Sequence, residues 1–213
     1  MVDLIRVDPE VVAANLARVR SEVGEGVEIL AAIKYVELHD LPALAQAGVT
    51  LVGENRAQEL IAKQAAHGPL FAWDFIGALQ SRKVKDLVGR VRYIHSVASD
   101  SVLEQLGKHA MPGTQVLIEV NVAGDASKSG IAPADLGAFI ARCPVAVAGL
   151  MTMPPFTAEA EDNRLHFQTL TRLAEEHGLA QLSMGTSQDY RVAVEEGATI
   201  IRLGDALLSA SAQ

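Results

Sequence analysis

One lysine stands where an amine could act as a nucleophile. Lys34 directly follows the apolar run 29–33, which has the length of a buried strand. An amine at the rim of an apolar core is partly desolvated, and the neutral amine attacks aldehydes to form a Schiff base. The alternative is a lysine that leaves a strand and extends into water, as most lysines do. Position alone favours this second interpretation.

Two glycine-containing segments near the end of the chain could bind a phosphate. Segments 185–189 and 203–205 each place a glycine between a predicted strand and a predicted helix. Backbone N–H groups at neighbouring helix N-termini attract anions, and the helix dipoles add to that attraction. Gly, Ser, Thr and Asp also form ordinary turns and caps, and either segment alone fits that simpler role. Arg202 is either a surface arginine or an inward cation that faces a ligand.

Other catalytic and metal-binding motifs are missing or incomplete. Segment 124–129 resembles a P-loop, but Ser127 stands where that motif requires a glycine before the lysine. The sequence has no G-x-S-x-G, H-E-x-x-H or G-x-G-x-x-G motif, and its six histidines lack metal-ligand spacing. Cys143 is the single cysteine, so neither an intrachain disulfide nor a multi-thiolate site can form. We therefore expect no metal site, no serine-hydrolase site and no dinucleotide site.

Short apolar segments alternate with amphipathic ones along the chain. The predicted strands are 27–33, 50–53, 72–76, 92–95, 115–121, 145–150, 181–184 and 199–203. Their Val, Ile and Leu content without strict alternation is typical of parallel strands buried on both faces. The predicted helices are 8–22, 41–47, 54–67, 99–109, 135–141, 159–177 and 188–196. Eight βα units favour an α/β fold with a single TIM-type (β/α)8 barrel and an extra N-terminal helix, with an open doubly wound sheet as the alternative.

In such a barrel, functional groups gather at the carboxyl ends of the strands. Lys34 follows the first predicted strand, and Asn55 follows the second. The two glycine-containing segments follow the last two strands, where barrels of this type often bind phosphate. The predicted fold therefore brings the amine and the phosphate-binding segments to one mouth.

Charge and composition limit the partners of the chain. It has 18 Lys and Arg against 26 Asp and Glu, a formal net charge of −8, without a dense basic stripe that would suit nucleic acid. No cationic segment followed by an apolar run opens the sequence, and no apolar run reaches membrane-spanning length. A single cysteine fits a reducing compartment. We expect a cytoplasmic protein with no nucleic-acid or membrane partner.

A family resemblance is carried by eight segments that follow one another over almost the whole chain. These segments are 30–34, 53–59, 75–83, 120–122, 127–131, 149–151, 182–189 and 202–204. They resemble the pyridoxal phosphate (PLP) homeostasis protein family, which is similar to the barrel domain of alanine racemases. The resemblance implies one PLP-binding barrel domain over residues 1–213, with pyridoxal 5′-phosphate as the cofactor.

The resemblance also implies which residues bind the cofactor. Lys34 matches the lysine that forms the Schiff base, and Arg202 matches an arginine that keeps the pyridine nitrogen unprotonated, so that the ring is a weak electron sink. The other positions match an asparagine beside the cofactor, a methionine packed near it and the phosphate-binding residues with a completing backbone N–H. The full expected set is Lys34, Asn55, Met184, Ser187, Arg202, Gly204 and Asp205.

Two positions depart from the family pattern. Many members carry Ser or Thr where this chain has Asp205, and His where it has Asp74. A carboxylate at position 205 either repels the phosphate directly or caps the last helix and competes for the same N–H donors. Both arrangements predict weakened PLP binding.

The resemblance implies a PLP carrier that buffers the cofactor and releases it to apo forms of PLP-dependent enzymes, with little or no catalysis. Racemisation needs two acid/base groups, one on each face of the substrate α-carbon. In alanine racemases the second group is a tyrosine from a separate domain, and none of Tyr35, Tyr93 and Tyr190 matches it. A single-domain PLP-dependent amino-acid racemase is the first alternative, and a barrel that binds a phosphorylated metabolite without a covalent cofactor is the second. A lone barrel without a dimer domain indicates a monomer.

Overall fold

Eight parallel strands close into a barrel. A computed structural model describes residues 6–125 and 128–210, and within them each strand pairs with the next while the last pairs with the first, at Glu28 and Ile200. The strands are β1 (Glu28–Ala32), β2 (Leu51–Glu54), β3 (Ala72–Phe75), β4 (Tyr93–Val97), β5 (Gln115–Glu119), β6 (Ala146–Met151), β7 (Gln181–Ser183) and β8 (Ile200–Leu203). The pairing of β1 with β8 confirms the predicted (β/α)8 barrel and excludes the open sheet.

Helices connect the strands. In the described residues they are α1 (Pro9–Val23), α2 (Leu41–Gln46), α3 (Ala57–His67), α4 (Val84–Leu87), α5 (Asp100–His109), α6 (Leu136–Arg142), α7 (Arg164–Glu176), α8 (Tyr190–Glu195) and α9 (Asp205–Leu208). Two of them, α3 and α7, begin three or more residues later than predicted. Helix α3 does not include Glu54, because that residue still belongs to β2 and pairs with Phe75. Helix α7 is preceded by a separate 3-10 turn, Ala160–Asn163, which the sequence pattern merged with it.

The predicted extra N-terminal helix is present as α1. Asp8 begins it, and its Oδ1 accepts a hydrogen bond from the N–H of Glu10 at 2.9 Å. From the middle of α1, Asn15 Nδ2 donates to the carbonyl oxygens of Leu207 and Ser209, each at 3.1 Å. Helix α1 therefore holds the end of helix α9, which follows the carboxyl end of β8.

Side chains of successive strand residues face opposite sides of the barrel wall. Residues such as Ile29 and Ala31 face the helices and join a continuous outer apolar core. The alternate positions face the barrel interior, where a smaller apolar cluster comprises Leu30, Leu51, Leu117, Met151 and Ile200. The interior is not wholly apolar, because it also holds the buried polar side chains Asp74, His95, Ser183 and Arg202.

Gly149 allows β6 and β7 to approach closely. A Cβ atom at this position would lie 1.9 Å from the carbonyl oxygen of Gln181 on β7. We predict that Gly149→Ala forces the two strands apart and lowers the free energy of unfolding by about 3 kcal/mol. Denaturant unfolding followed by circular dichroism measures the loss.

Gly107→Ala is the matched control for this prediction. Gly107 is exposed in α5, and its added Cβ would meet nothing nearer than Pro144 at 3.8 Å. This variant should be neutral or stabilised by up to about 1 kcal/mol, because alanine favours the helix. Equal unfolding midpoints for the two variants would contradict the close approach of β6 and β7.

Candidate functional site

A cavity of about 480 Å³ lies at the carboxyl ends of the strands. Its volume is in the range of sites that hold a small molecule or cofactor. Six of the seven residues predicted from the sequence line it, namely Lys34, Asn55, Ser187, Arg202, Gly204 and Asp205. The fold therefore assembles residues that are up to 171 positions apart in the chain (from 34 to 205) around one space.

Lys34 lies just beyond the end of β1. Its side chain is exposed, and its Nζ lies 4.5 Å from the centroid of the Tyr35 ring. The expected desolvation of this amine is not observed, because the cavity mouth is open to water at this side. The contact with Tyr35, which also lines the cavity, is a cation–π interaction that favours one position of the amine.

The segments after β7 and β8 meet through Ser187. Its Oγ accepts hydrogen bonds from the backbone N–H groups of Gly204 at 3.2 Å and Ala206 at 3.1 Å. Between them, the N–H of Asp205 has no acceptor among the described residues. Gly185 opens the first segment with a φ of +90°, which a residue with a side chain adopts only under strain. A hydroxyl beside several N–H groups is the set of donors that an anion-binding site requires.

Asp189 holds the segment that carries Ser187. Its Oδ1 accepts from the N–H of Thr186 at 2.7 Å and from the Thr186 hydroxyl at 3.0 Å. Its Oδ2 accepts from Asn163 Nδ2 at 2.8 Å, which connects the segment to the turn before α7. These bonds fix the backbone on both sides of Ser187 before any ligand binds.

The side chain of Asp205 does not cap helix α9. Gly204 occupies the N-cap position, and Asp205 is the first helical residue, with an exposed side chain that makes no capping hydrogen bond. The capping arrangement considered from the sequence is therefore wrong in this structure. The physical reason is that Ser187 Oγ already accepts from the N–H groups of Gly204 and Ala206.

Asn55 presents an unpaired buried oxygen at the cavity wall. Its Oδ1 atom is buried and has no hydrogen-bond partner among the described residues, while its backbone N–H donates to Glu54 Oε1 at 2.6 Å. Glu54 in turn accepts a bond from Lys63 Nζ at 2.6 Å, and Lys63 also donates to the Ile33 carbonyl at 2.8 Å. An unpaired buried amide oxygen is costly, and the bonds of Glu54 and Lys63 hold the backbone beside it in place.

Arg202 points into the barrel. Its Nη1 donates to Ser183 Oγ at 2.6 Å, and its Nη2 donates to the Thr152 carbonyl oxygen at 2.9 Å and to Met153 Sδ at 2.8 Å. Burial lowers the pKa of Arg202 to about 10, an effect that the negative charges of Asp189 and Glu119 oppose. The side chain remains a cation at neutral pH, and the structure supports the inward alternative rather than the surface one.

Met184 is the predicted residue that does not line the cavity. Its buried side chain belongs to the outer apolar core between the strands and the helices. Strand alternation explains the difference, because Ser183 faces inward and the next residue must then face outward. The expectation that Met184 packs beside the cofactor is corrected accordingly.

Sequence reasoning missed a buried polar network behind Arg202. His95 Nε2 lies 3.0 Å from Asp74 Oδ2, and His95 Nδ1 lies 2.9 Å from Ser183 Oγ. Arg92 donates to both oxygens of Asp74, at 3.1 Å from Nε and 2.8 Å from Nη2. Charged residues inside predicted apolar strands were the available signal, since such side chains are buried only when they are paired.

The acidic group of Glu119 was also missed. This buried residue lines the cavity, and its Oε1 accepts a hydrogen bond from the Ser129 hydroxyl. Ser129 and Lys128 belong to the loop after β5, and both line the cavity. Ser127, which precedes them, lies outside the described residues.

The pKa values of His95 and Asp74 are both lowered, but for different reasons. Burial lowers the pKa of His95, because it disfavours the imidazolium form more than the bond to Asp74 favours it. Burial by itself would raise the pKa of Asp74, but the hydrogen bonds from His95 and Arg92 bring it below its usual value. The network therefore contains a neutral imidazole and an ionised carboxylate at neutral pH.

We predict that the protein loses stability as the pH falls below about 6.5. Near that pH the unfolded chain takes up a proton on His95, while folded His95 stays neutral down to its lower pKa. The free energy of unfolding then falls by up to about 1.4 kcal/mol per pH unit for this one proton. Urea unfolding of the wild type and His95→Gln from about pH 8 to pH 5 measures the contribution. The two stability curves should converge as the pH falls, and parallel curves would assign the loss to other groups.

Metal-ligand clusters and membrane-spanning helices are both absent from the described residues. In residues 6–125 and 128–210, no group of three His, Cys, Asp or Glu side chains could hold a metal ion. The helices of this part of the chain are too short or too polar to span a bilayer.

Comparisons of sequence agree with this geometry. Residues 7–212 match the model of the family described as alanine racemase, N-terminal domain. The pyridoxal phosphate homeostasis protein of Aquifex aeolicus is 40% identical over 194 residues, which are 84% of this chain and 85% of that protein. The protein of the same name from Pseudomonas aeruginosa is 34% identical and covers 93% of this chain and 95% of its own length.

Comparisons of structure find proteins with the same barrel fold. PipY of Synechococcus elongatus, solved with PLP bound, matches with a TM-score of 0.81 and 32% identity over 93% of this chain and 100% of that one. Alanine racemase from Corynebacterium glutamicum has a TM-score of 0.75 at 14% identity, which covers 97% of this chain and 62% of that one and shows a shared fold. The chain belongs to the alanine racemase N-terminal domain family and, within it, to the pyridoxal phosphate homeostasis proteins.

Proposed function

We propose that this chain binds PLP in the cavity and acts as a carrier that buffers the cofactor, with little or no catalysis. The observation that carries the proposal is the convergence of three chemically different groups on one cavity. These are the Lys34 amine, the N–H groups and hydroxyl around Ser187, and the buried Arg202 guanidinium. The relatives named for PLP homeostasis and the PLP-bound PipY support the same assignment.

The three groups match three parts of PLP. Lys34 Nζ would join the aldehyde carbon through a C=N bond, with the aldehyde oxygen leaving as water. The Ser187 hydroxyl and the N–H groups of Gly204, Asp205 and Ala206 would bind the phosphate, in place of the present bonds to Ser187 Oγ. The Arg202 cation would face the ring nitrogen.

The arginine favours storage of PLP over catalysis. PLP supplies an electron sink only when its ring can accept charge, and a cationic neighbour disfavours protonation of the ring nitrogen. The low exposure of Arg202 strengthens that effect, because water screens it less. The racemase alternative requires in addition a second acid/base group on the opposite face of the substrate.

A spectrum of the pure protein with PLP separates the candidates. A carrier should show a visible band that borohydride removes, no exchange of the α-proton in a panel of amino acids, and transfer of PLP to an apo-enzyme. Chirality change in any amino acid at a rate well above that of free PLP would favour the racemase. A protein without the band, but with measurable phosphate-ester binding, would favour the barrel that holds a phosphorylated metabolite.

The proposal includes the setting in which the carrier acts. It is a monomeric single-domain protein of the cytoplasm that donates PLP to apo forms of PLP-dependent enzymes. The single cysteine supports the cytoplasmic setting, because a reducing compartment keeps thiols free. Light scattering of the loaded and unloaded protein tests the monomer, and a stable dimer in both states would contradict it.

Asp205 should weaken phosphate binding by direct charge repulsion. Its exposed carboxylate stands at the phosphate-binding segment, and a unit charge about 5 Å from a dianion is opposed by at least 1 kcal/mol even in water. We predict that Asp205→Ser binds PLP roughly tenfold more tightly at low salt and that the gain shrinks as salt is added. Equilibrium dialysis at two ionic strengths measures both quantities.

Asp205→Asn separates charge from hydrogen bonding. It removes the carboxylate charge at nearly constant shape, whereas the serine variant also adds a small hydroxyl. Equal gains for both variants would assign the effect to charge. A wild-type affinity in both variants would show that the Asp205 side chain faces away from the phosphate and that its backbone alone contributes.

A further inference from the structure

A row of polar side chains, all buried except the half-buried Arg92, crosses the barrel interior and ends at Arg202. Arg92, Asp74, His95, Ser183 and Arg202 are each hydrogen-bonded to the next. Arg92 directly precedes β4, and the others lie on strands: Asp74 on β3, His95 on β4, Ser183 on β7 and Arg202 on β8. Strands β4 and β7 are not neighbours in the barrel, so the bond between His95 and Ser183 passes through its interior.

The direction of each hydrogen bond follows from the groups at the two ends of the row. The carboxylate oxygen Oδ2 of Asp74 only accepts, so His95 Nε2 carries a proton and donates to it at 3.0 Å. Burial keeps the His95 ring neutral, so Nδ1 is unprotonated and accepts the proton of Ser183 Oγ, 2.9 Å away. Arginine only donates, so Ser183 Oγ also accepts the 2.6 Å bond from Arg202 Nη1. One tautomer of His95 satisfies every member of the row.

Asp74 is held as the anionic end of this row. Both side-chain oxygens accept from Arg92, and Oδ1 also accepts from the N–H of Tyr93 at 3.1 Å. The side chain of Asp74 is 0% exposed, so its charge is compensated by these donors and not by water. Arg92 is further paired with Glu28 at the opposite end of the barrel from the cavity.

Arg202 keeps donors for a ligand. A guanidinium has five N–H groups, and among the described residues three of them are directed at Ser183, Thr152 and Met153. The other two (five minus three) remain for the cavity that Arg202 lines. The orientation of those two depends on the bond to Ser183, because a planar guanidinium turns as one body.

We propose that Asp74, His95 and Ser183 are positioning residues that orient the Arg202 guanidinium toward a ligand ring. The inference rests on the proposed function, in which that ring belongs to PLP. Each member acts through the next, and His95 serves as a neutral connector with one donor and one acceptor. The ionised and charged groups that surround it are Asp74 on β3, Arg92 beside β4 and Arg202 on β8.

The first test uses the protein without PLP. Two-bond ¹H–¹⁵N correlation spectra at neutral pH distinguish the tautomers of histidine, with His95→Gln to assign the signal. The proposal expects a neutral ring protonated on Nε2 with Nδ1 as acceptor. A ring protonated on Nδ1, or on both nitrogens, would overturn the hydrogen-bond direction and with it the proposal.

The second test uses the PLP-loaded protein. Ser183→Ala and His95→Phe each break the row, and we expect a shifted absorption maximum for bound PLP and about tenfold weaker retention, the effect of one hydrogen bond to a charged group. His95→Gln should keep both properties near wild type, because its amide offers one acceptor and one donor. This rescue separates positioning from a packing defect.

Thr171→Ala is the matched control. Thr171 also donates from a half-buried hydroxyl, to the Glu196 carbonyl, but it lies on α7 away from the cavity. Its loss should leave the PLP spectrum and retention unchanged. Circular dichroism checks that every variant folds, and Ser183→Ala, the smallest change, still decides the matter if His95→Phe does not fold.

Failure of this inference and failure of the proposed function give different results. A wild type without a borohydride-reducible band refutes the PLP assignment, while the tautomer of His95 is still measured independently. A wild type with the band and a Ser183→Ala variant with identical spectrum and retention refutes the positioning role alone.

Discussion

Lys34→Ala is expected to abolish the borohydride-reducible PLP adduct while the barrel stays folded. The amine is exposed at the cavity mouth and lies over the Tyr35 ring, so its loss removes the reactive group without opening the core. PLP would then be held by the phosphate-binding segments and Arg202 without a covalent bond. Absorption spectra before and after borohydride, and mass spectrometry of the reduced protein, measure the loss.

Two other lysines make this prediction specific. Lys83→Ala is the control, because Lys83 Nζ lies 3.6 Å from Asp86 Oδ2 and does not line the cavity. It should keep the full adduct. Lys128 does line the cavity, so an adduct that persists in Lys34→Ala would be located by peptide mapping and would point to Lys128 as the true attachment site.

Arg202→Glu is expected to change both the cofactor and the barrel. A carboxylate in place of the cation favours a protonated ring nitrogen, so the spectrum of bound PLP should shift and side reactions with amino acids should rise. The variant also leaves Ser183 and the Thr152 carbonyl without their donor and brings a third negative charge near Glu119 and Asp189. We expect a loss of about 3–5 kcal/mol in the free energy of unfolding and weaker PLP retention.

A milder variant keeps this prediction testable if Arg202→Glu does not fold. Arg202→Gln retains two donors but removes the charge, so it should shift the spectrum in the same direction with a smaller loss of stability. Arg172→Gln is the control, because Arg172 is exposed on α7 and pairs with Glu176 at the surface. Unchanged spectrum, retention and reactivity in Arg202→Gln would show that the guanidinium does not face the ring.

The order and number of the strands were predictable from the sequence alone. Apolar runs such as 29–33 and 116–118 have no polar face, and such runs are typical of strands buried on both sides. Helix boundaries were less predictable. Glu54 has helical propensity, but in the barrel it pairs with Phe75 and accepts a bond from buried Lys63. Tertiary contacts of this kind outweigh a propensity difference of a few tenths of a kcal/mol.

The mouth residues were also predictable, because their positions depend on strand ends. Lys34, Ser187 and Gly204 lie in the segments that follow β1, β7 and β8, and the carboxyl ends of all strands in a parallel barrel meet on one side. The side-chain direction within a strand was not predictable in the same way. Ser183 and Met184 differ by one residue, which is half of the two-residue repeat, so the sequence pattern does not fix which of the two faces the barrel interior.

Only the tertiary structure shows the network of polar side chains behind the cavity. Asp74, His95, Ser183 and Arg202 are isolated polar residues in four apolar strands, and nothing local shows that they contact one another. Closure of the barrel places the inward faces of β3, β4, β7 and β8 within hydrogen-bond distance, where each group removes the desolvation cost of the next. The sequence by itself determined the strands, the mouth and its reactive groups, because these depend on local pattern. The hydrogen bonding of Arg202 depends on the closed barrel interior, which no local sequence pattern shows.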